Sequence, residues 1–111
     1  MSLPESCFAS TAAHARDITL PDGSVHTMHF KELPAIEFRL WRHREQSEDE
    51  QTRFDALPML LVAGICNPDG SPALPLKMAK RLKGEPMNAL LVALLEVNGV
   101  TAGAQAEQGN D

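Results

Sequence analysis

Apolar and polar positions alternate between Ile18 and Phe30, and a helical period takes over after Leu33. The alternating part spans residues 14–32 and predicts a β-hairpin with Pro21-Asp22-Gly23-Ser24 at its turn. Pro21 at the second turn position and Gly23 two residues later suit a type I turn followed by a left-handed glycine bulge. That three-residue loop pairs Leu20 with Ser24, Ile18 with His26 and Arg16 with Met28. Ile18, Leu20, Met28 and Phe30 then share one face, which can pack on helices. A two-residue Asp22-Gly23 loop would pair Leu20 with Val25 and send Met28 and Phe30 to the opposite face. The first register is preferred because it collects the apolar residues.

Beyond Leu33 the pattern predicts helices over about 34–46, 48–66, 75–83 and 86–98. Pro34 suits the opening position of the first. Ala35, Phe38, Leu40 and Trp41 form one face of it, with Glu37, Arg39, Arg42 and Arg44 around them. Alternation of Ile36, Phe38 and Leu40 leaves a strand as the other reading of that segment. Ser47-Glu48-Asp49-Glu50 is a capping-box pattern, in which Ser47 accepts from the Glu50 backbone and the Glu50 side chain returns the bond. The second helix is therefore expected to start near Glu48. Its apolar stripe takes in Phe54, Leu57, Leu61 and Ile65. Pro58 removes a backbone donor and is expected to kink or restart it. Asn67–Pro72 is a dense run of turn residues. Pro75–Lys83 reads as a short helix, basic on one side, that Gly84 terminates. Pro86 opens the last helix and Asn98-Gly99 closes it.

Three parts follow. Residues 1–13 read as a flexible arm, 14–99 as a single small domain, and 100–111 as a disordered tail of Gly, Ala, Gln and acid. No internal repeat is apparent. The expected fold class is α+β, mainly α: an N-terminal β-hairpin followed by three to four short helices and the tail.

Composition narrows the function. Hydrophobic residues at 43% and charged residues at 23% are ordinary for a globular chain and argue against wholesale disorder. A net charge of -5 argues against a nucleic-acid partner held by phosphate neutralisation. No apolar run approaches the ~20 residues of a membrane span. The N-terminus lacks the basic start and apolar stretch of a secretory signal. A cytoplasmic protein with neither membrane nor nucleic acid as partner is the expectation. With 5% aromatics, a core of Leu, Ala, Val and Met is marginal in 111 residues, so self-association or a protein partner is expected.

Signals for catalysis are poor. His14, His26, His29 and His43 sit on a hairpin and a helix, remote from Cys7 and Cys66, without the spacing of a zinc site. Cys66 follows an apolar run and reads as a small hydrophobe. The acidic run Glu45–Glu50 is explained by a solvated helix start rather than by paired carboxylates. There is no phosphate-cradling glycine motif and no nucleophile elbow. No catalytic residue, metal or cofactor is assigned. The basic cluster Lys77–Lys83 reads as a solvated face.

The last helix carries more. From Met87 to Val97 only Asn88 and Glu96 are polar, so the helix must be covered on more than one side. Leu90, Leu94 and Val97 are expected to face the core. Leu91, Leu95 and Met87 are the candidates for a partner-binding side, Leu91 and Leu95 lying four apart on one stripe. The bland reading of the same pattern is a central core helix.

The order and texture of these elements resemble the tail assembly chaperones of long-tailed (siphovirus-like) bacteriophages or a prophage. The resemblance spans roughly Ile18 to Gly99. It rests on the hairpin leading into Phe30-Lys31-Glu32-Leu33-Pro34-Ala35, the amphipathic stretch, Leu57–Cys66, the turn Asn67-Pro68-Asp69-Gly70, and a last helix between Glu85-Pro86 and Asn98-Gly99. Ser71–Lys83 is more basic than that pattern. The resemblance implies a non-enzymatic protein of the host cytoplasm, absent from the mature virion. Its implied partners are the tape measure protein and, through frameshifted extended forms, tail tube protein. The other reading is a small regulatory or adaptor protein that dimerises through its C-terminal apolar helix.

Overall fold

Turn chemistry sets the first half of the molecule. The structure, a computed structural model, describes residues 2–100. Strand β1 (Ala13–Thr19) pairs antiparallel with β2 (Val25–Lys31). The register places Arg16 opposite Met28 and Ile18 opposite His26, as the three-residue loop requires. Leu20 N donates to Ser24 O at 2.8 Å, Gly23 N donates to Leu20 O at 2.9 Å, and Gly23 has φ of 86°. Ile18 and Phe30 are buried on the shared face, and Leu20 and Met28 pack beside them.

The same turn occurs again. Pro-Asp-Gly-Ser stands at residues 21–24 and at 68–71, a four-residue repeat that corrects the expectation of none. Asn67 N donates to Ser71 O at 2.8 Å, Gly70 N donates to Asn67 O at 2.8 Å, and Gly70 has φ of 87°. In each copy the aspartate Oδ1 accepts from the serine N at 2.9 Å and the serine Oγ at 2.6 Å. These bonds hold the Asp22 and Asp69 carboxyls below the usual carboxylate range, the hydroxyl bond contributing most. The second turn follows a strand absent from the sequence reading, β3 (Ile65–Cys66), which joins the free edge of β2 to make the order β1-β2-β3. Cys66 also bridges to Pro72 across the turn.

Helices fill the remainder. Helix α1 (Ala35–Glu45) follows Pro34, which is its N-cap rather than its first residue, and Arg42, His43 and Arg44 in its last turn suit the negative end of the helix dipole. Helix α2 (Glu50–Gly64) is separate from α1, as the polar break at Ser47 predicts, but its cap is Asp49. Asp49 Oδ2 accepts from Thr52 N at 2.9 Å and Thr52 Oγ1 at 2.6 Å. Ser47 Oγ instead accepts from Asp49 N at 3.1 Å, one step before the helix. Asp outcompetes Ser here because its charge also meets the helix dipole and because Thr52 supplies a second donor. Pro58 is buried inside α2, which runs through it as one element without restarting.

The stripe expected on α2 is rotated. Ala56, Leu60, Leu61 and Gly64 are buried, while Phe54 is 63% exposed. Small residues at 56 and 64 let neighbouring helices approach, so the core centres on them. A Cβ at Gly64 would run into the Leu94 side chain. After the second turn comes α3 (Leu76–Ala79), a single turn that stops short of the expected Lys83. Helix α4 (Gly84–Val97) then begins at Gly84, the residue expected to end the helix before it, with Lys83 as N-cap. Pro86 sits in its first turn, where a missing N–H costs nothing.

Helix α4 ends as its Asn98-Gly99 pair predicts. Gly99 has φ of 69°, Gly99 N donates to Glu96 O at 3.0 Å, and Val100 N donates to Leu95 O at 2.7 Å, a Schellman cap. The Asn98 side chain extends the cap into a strap. Its Oδ1 accepts from Leu33 N at 2.7 Å, and its Nδ2 donates to Leu94 O at 2.9 Å and Lys31 O at 3.4 Å. Those bonds tie the end of β2 to the end of α4. At the other terminus, residues 5–7 form one 3-10 turn, and Ser10 N donates to Glu32 Oε1 at 3.0 Å, returning the arm to the domain. The tail expected to be disordered lies, from Thr101 onward, outside the described residues.

Four substitutions test this account. Gly23→Ala is expected to destabilise by about 1 kcal/mol, because a Cβ there meets no atom and only the left-handed backbone penalises it. Gly70→Ala should cost about the same, since its φ of 87° is as left-handed and its Cβ would make only an ordinary contact, 3.4 Å from Thr11 O. Asp49→Ala should cost about 1 kcal/mol and Ser47→Ala less, reversing the order a Ser47 capping box demands. Urea denaturation at constant m-value measures all four.

Candidate functional site

Helix α4 lies between the hairpin and α2, with Leu90, Ala93 and Leu94 in the core. Val97 packs beside them, half-buried. The residues expected to face a partner do not form an exposed surface. Leu95 is 7% exposed, so it is not available to a partner as the monomer stands. Leu91 and Met87 are half-buried and pack against the core cluster. The open strip of α4 is instead Asn88, Val92 and Glu96, spaced four apart. A helix with apolar residues almost all round, in a domain with few elements, draws its cover from within the chain first.

Exposed apolar side chains stand on several elements, among them Leu3 and Phe8 near the N-terminus, Val25 on β2, Ile36 on α1 and Val92 on α4. Phe54 on α2 is 63% exposed, and Met78 and Leu76 on α3 are 48% and 36% exposed. Helix α3 packs against α2 through buried Ala79, and Lys80 Nζ lies 3.0 Å from Asp55 Oδ1. Lys80 holds the Asp55 carboxyl below the usual carboxylate range, chiefly by this hydrogen bond. Lys77, Arg81 and Lys83 stand exposed around it. Helices α2 and α3 thus each carry exposed apolar side chains, and the basic residues follow on α3 and the segment after it. Phe54 was legible in the sequence only as a core residue, because its helical spacing to Leu57 and Leu61 matches the core stripe.

Sites for small molecules are shallow by comparison. A groove of about 540 Å³ runs between the arm and the link from β2 to α1, lined by Thr11, Lys31, Glu32, Leu33, Pro34 and Gly70. Arg39, Arg42, His43 and Gln46 line a smaller open depression on α1. Neither brings together the convergent polar groups that orient a substrate.

One constellation looks catalytic by composition. Ser24 Oγ lies 2.6 Å from Asp22 Oδ1 and 3.0 Å from His26 Nε2. Here the serine proton is directed to the carboxylate, leaving the hydroxyl to accept from the imidazole, the reverse of a nucleophile–base pair. The second turn supplies a control, since Ser71 makes the same bond to Asp69. The serine–aspartate contact thus belongs to the turn. His14 Nε2 approaches Glu32 Oε2 at 3.3 Å, without hydrogen-bond alignment. His29 lies opposite Cys66 in the sheet, and burial pushes the Cys66 thiol up. Among the described residues no three His, Cys, Asp or Glu side chains gather as metal ligands. Among them, too, no helix is long and apolar enough to cross a membrane.

Comparison with family models, with curated proteins and with solved structures finds nothing that matches this chain.

Substitution separates the two apolar surfaces. Leu95→Asn is expected to cost about 2–5 kcal/mol, as core truncations do. Phe54→Ser and Met78→Ser should each stay within about 0.5 kcal/mol of the parent, as exposed positions do. Thermal melts of the three variants check this directly.

Proposed function

We propose that this chain is a non-enzymatic phage tail assembly chaperone, which binds the tape measure protein and helps recruit tail tube subunits during tail morphogenesis. The observation that carries the reading is the exposure of Phe54 on α2 and of Leu76 and Met78 on α3, two helices that pack together. Phe54, Leu76 and Met78 lie outside a core that is already filled by Phe30, Leu60, Leu61, Ile65 and Leu94. Their exposure adds nothing to the fold, and exposed apolar side chains that lie together mark an interaction surface. A long helical client displays apolar stripes of its own, and such a surface can cover them. Many copies along one client add avidity. A net charge of -5 keeps the loaded assembly dispersed. The resemblance in element order from Ile18 to Gly99 supplies the identity of the client.

The adaptor reading relies on dimerisation through α4. Burial of Leu90, Leu94 and Leu95 leaves that helix only a narrow strip around Val92, which favours the chaperone reading.

Co-expression with a tape measure protein from the same genome tests the proposal. The parent chain should co-purify with it and raise its soluble fraction. A Phe54→Ser/Met78→Ser variant should lose both effects while melting with the parent. Failure of the parent chain to bind or solubilise any such client overturns the function. Retained binding by the double variant moves the surface away from α2 and α3.

A further inference from the structure

The Asn98 strap has a chemical weakness that the fold conceals. Asparagine followed by glycine deamidates readily in an unfolded chain, because glycine leaves its own nitrogen free to attack. The Gly99 nitrogen loses its proton to base and attacks Asn98 Cγ. As that bond forms, the Cγ–Nδ2 bond breaks, and Nδ2 leaves as ammonia with the proton returned to it. Water then opens the cyclic imide at either carbonyl, leaving aspartate or isoaspartate at position 98. No oxidant or reductant is involved. The other described asparagines differ: Asn67 precedes Pro68, which has no N–H to attack with, and Asn88 precedes Ala89.

Four features of the native cap oppose the reaction. Asn98 has ψ of 8°, so the Gly99 nitrogen nearly eclipses the Asn98 nitrogen and is turned away from Cβ. Gly99 N is already donating to Glu96 O at 3.0 Å. The leaving nitrogen Nδ2 donates to Leu94 O at 2.9 Å. Oδ1 is held by Leu33 N at 2.7 Å, which fixes the amide plane. Ring closure needs all of these released together.

We propose that Asn98-Gly99 is a masked deamidation site, closed in the native fold and opened by local unfolding of the α4 cap. The modification is one-way in its effect on structure. A carboxylate at position 98 keeps an acceptor for Leu33 N but presents no donor to Leu94 O and Lys31 O. It brings negative charge to two carbonyls and to the negative end of α4. Isoaspartate also lengthens the backbone at the point where Gly99 turns left-handed. Either product loosens the tie between β2 and α4. This inference is independent of the proposed client.

The test uses the full chain in mildly alkaline buffer, native or in guanidinium chloride, with peptide mass mapping over time. The amide at position 98 should be lost at least about tenfold more slowly in the native protein, because reaction must wait for an opening. Equal rates overturn the masking. Chain deamidated while denatured is then refolded beside an equally treated short-time control. It should melt at a lower temperature than the control, or fail to refold where the control succeeds. A melt identical to the control overturns the structural role of the strap.

Discussion

Everything in this fold answers to the need to cover α4. Between Met87 and Val97 only Asn88 and Glu96 are polar, so three sides of the helix must leave water. Burying a leucine stabilises by roughly 1.5–3 kcal/mol, and leaving several in water would forfeit that much each. The hairpin takes one side, through Ile18, Phe30 and Met28, and α2 takes another, through Leu60, Leu61 and Gly64. Contact with α2 is close because position 64 has no side chain. The Asn98 bonds to Leu33 N and Lys31 O then fix where α4 ends relative to the sheet. Packing supplies the energy and the strap supplies the position.

The two Pro-Asp-Gly-Ser turns make that cover possible at so short a length. Each reverses the chain in three residues and leaves its aspartate and serine bonded to each other rather than to water. The first fixes a register in which Ile18 and Phe30 face the same way. A slip of one residue would turn one of them outward and uncover α4. The second lets the chain leave α2 as a strand, pair Ile65 with Phe30, and return at once. Ile65, 1% exposed, is thereby part of the sheet side of the core and not of α2's stripe.

What the sequence revealed, and what it hid, divides along the same line. The hairpin register, the α1–α2 break and the Gly99 cap were legible because each is decided within five or six residues. The Asp49 cap was within reach too, but the Ser-x-x-Glu pattern overlapped it, and only the Thr52 donors show which oxygen wins. Strand β3 was hidden because two residues carry no period, and its partner lies far back in the chain at His29 and Phe30. The candidate surface was hidden more deeply. Phe54 and Leu95 have helical spacings that fit the core and the surface equally. Their placement depends on how far α2 and α4 rotate about Gly64 and Ala93, which tertiary packing alone decides.

That rotation has a consequence for function. A small core can bury only as many apolar stripes as it has elements to lay against one another, and this chain carries more than it buries. The surplus was expected on α4, the most apolar element, yet Leu90, Leu94 and Leu95 there are all covered within the chain. Apolar side chains left over therefore fall on the outward sides of several elements. They include Phe54 in the first turns of α2 and Leu76 and Met78 on α3, besides Val25 on β2, Ile36 on α1 and Val92 on α4. Phe54, Leu76 and Met78 lie outside the cluster that covers α4, so a change at any of them leaves that cover in place, a separation that Leu94 or Leu95 on the central helix could not offer.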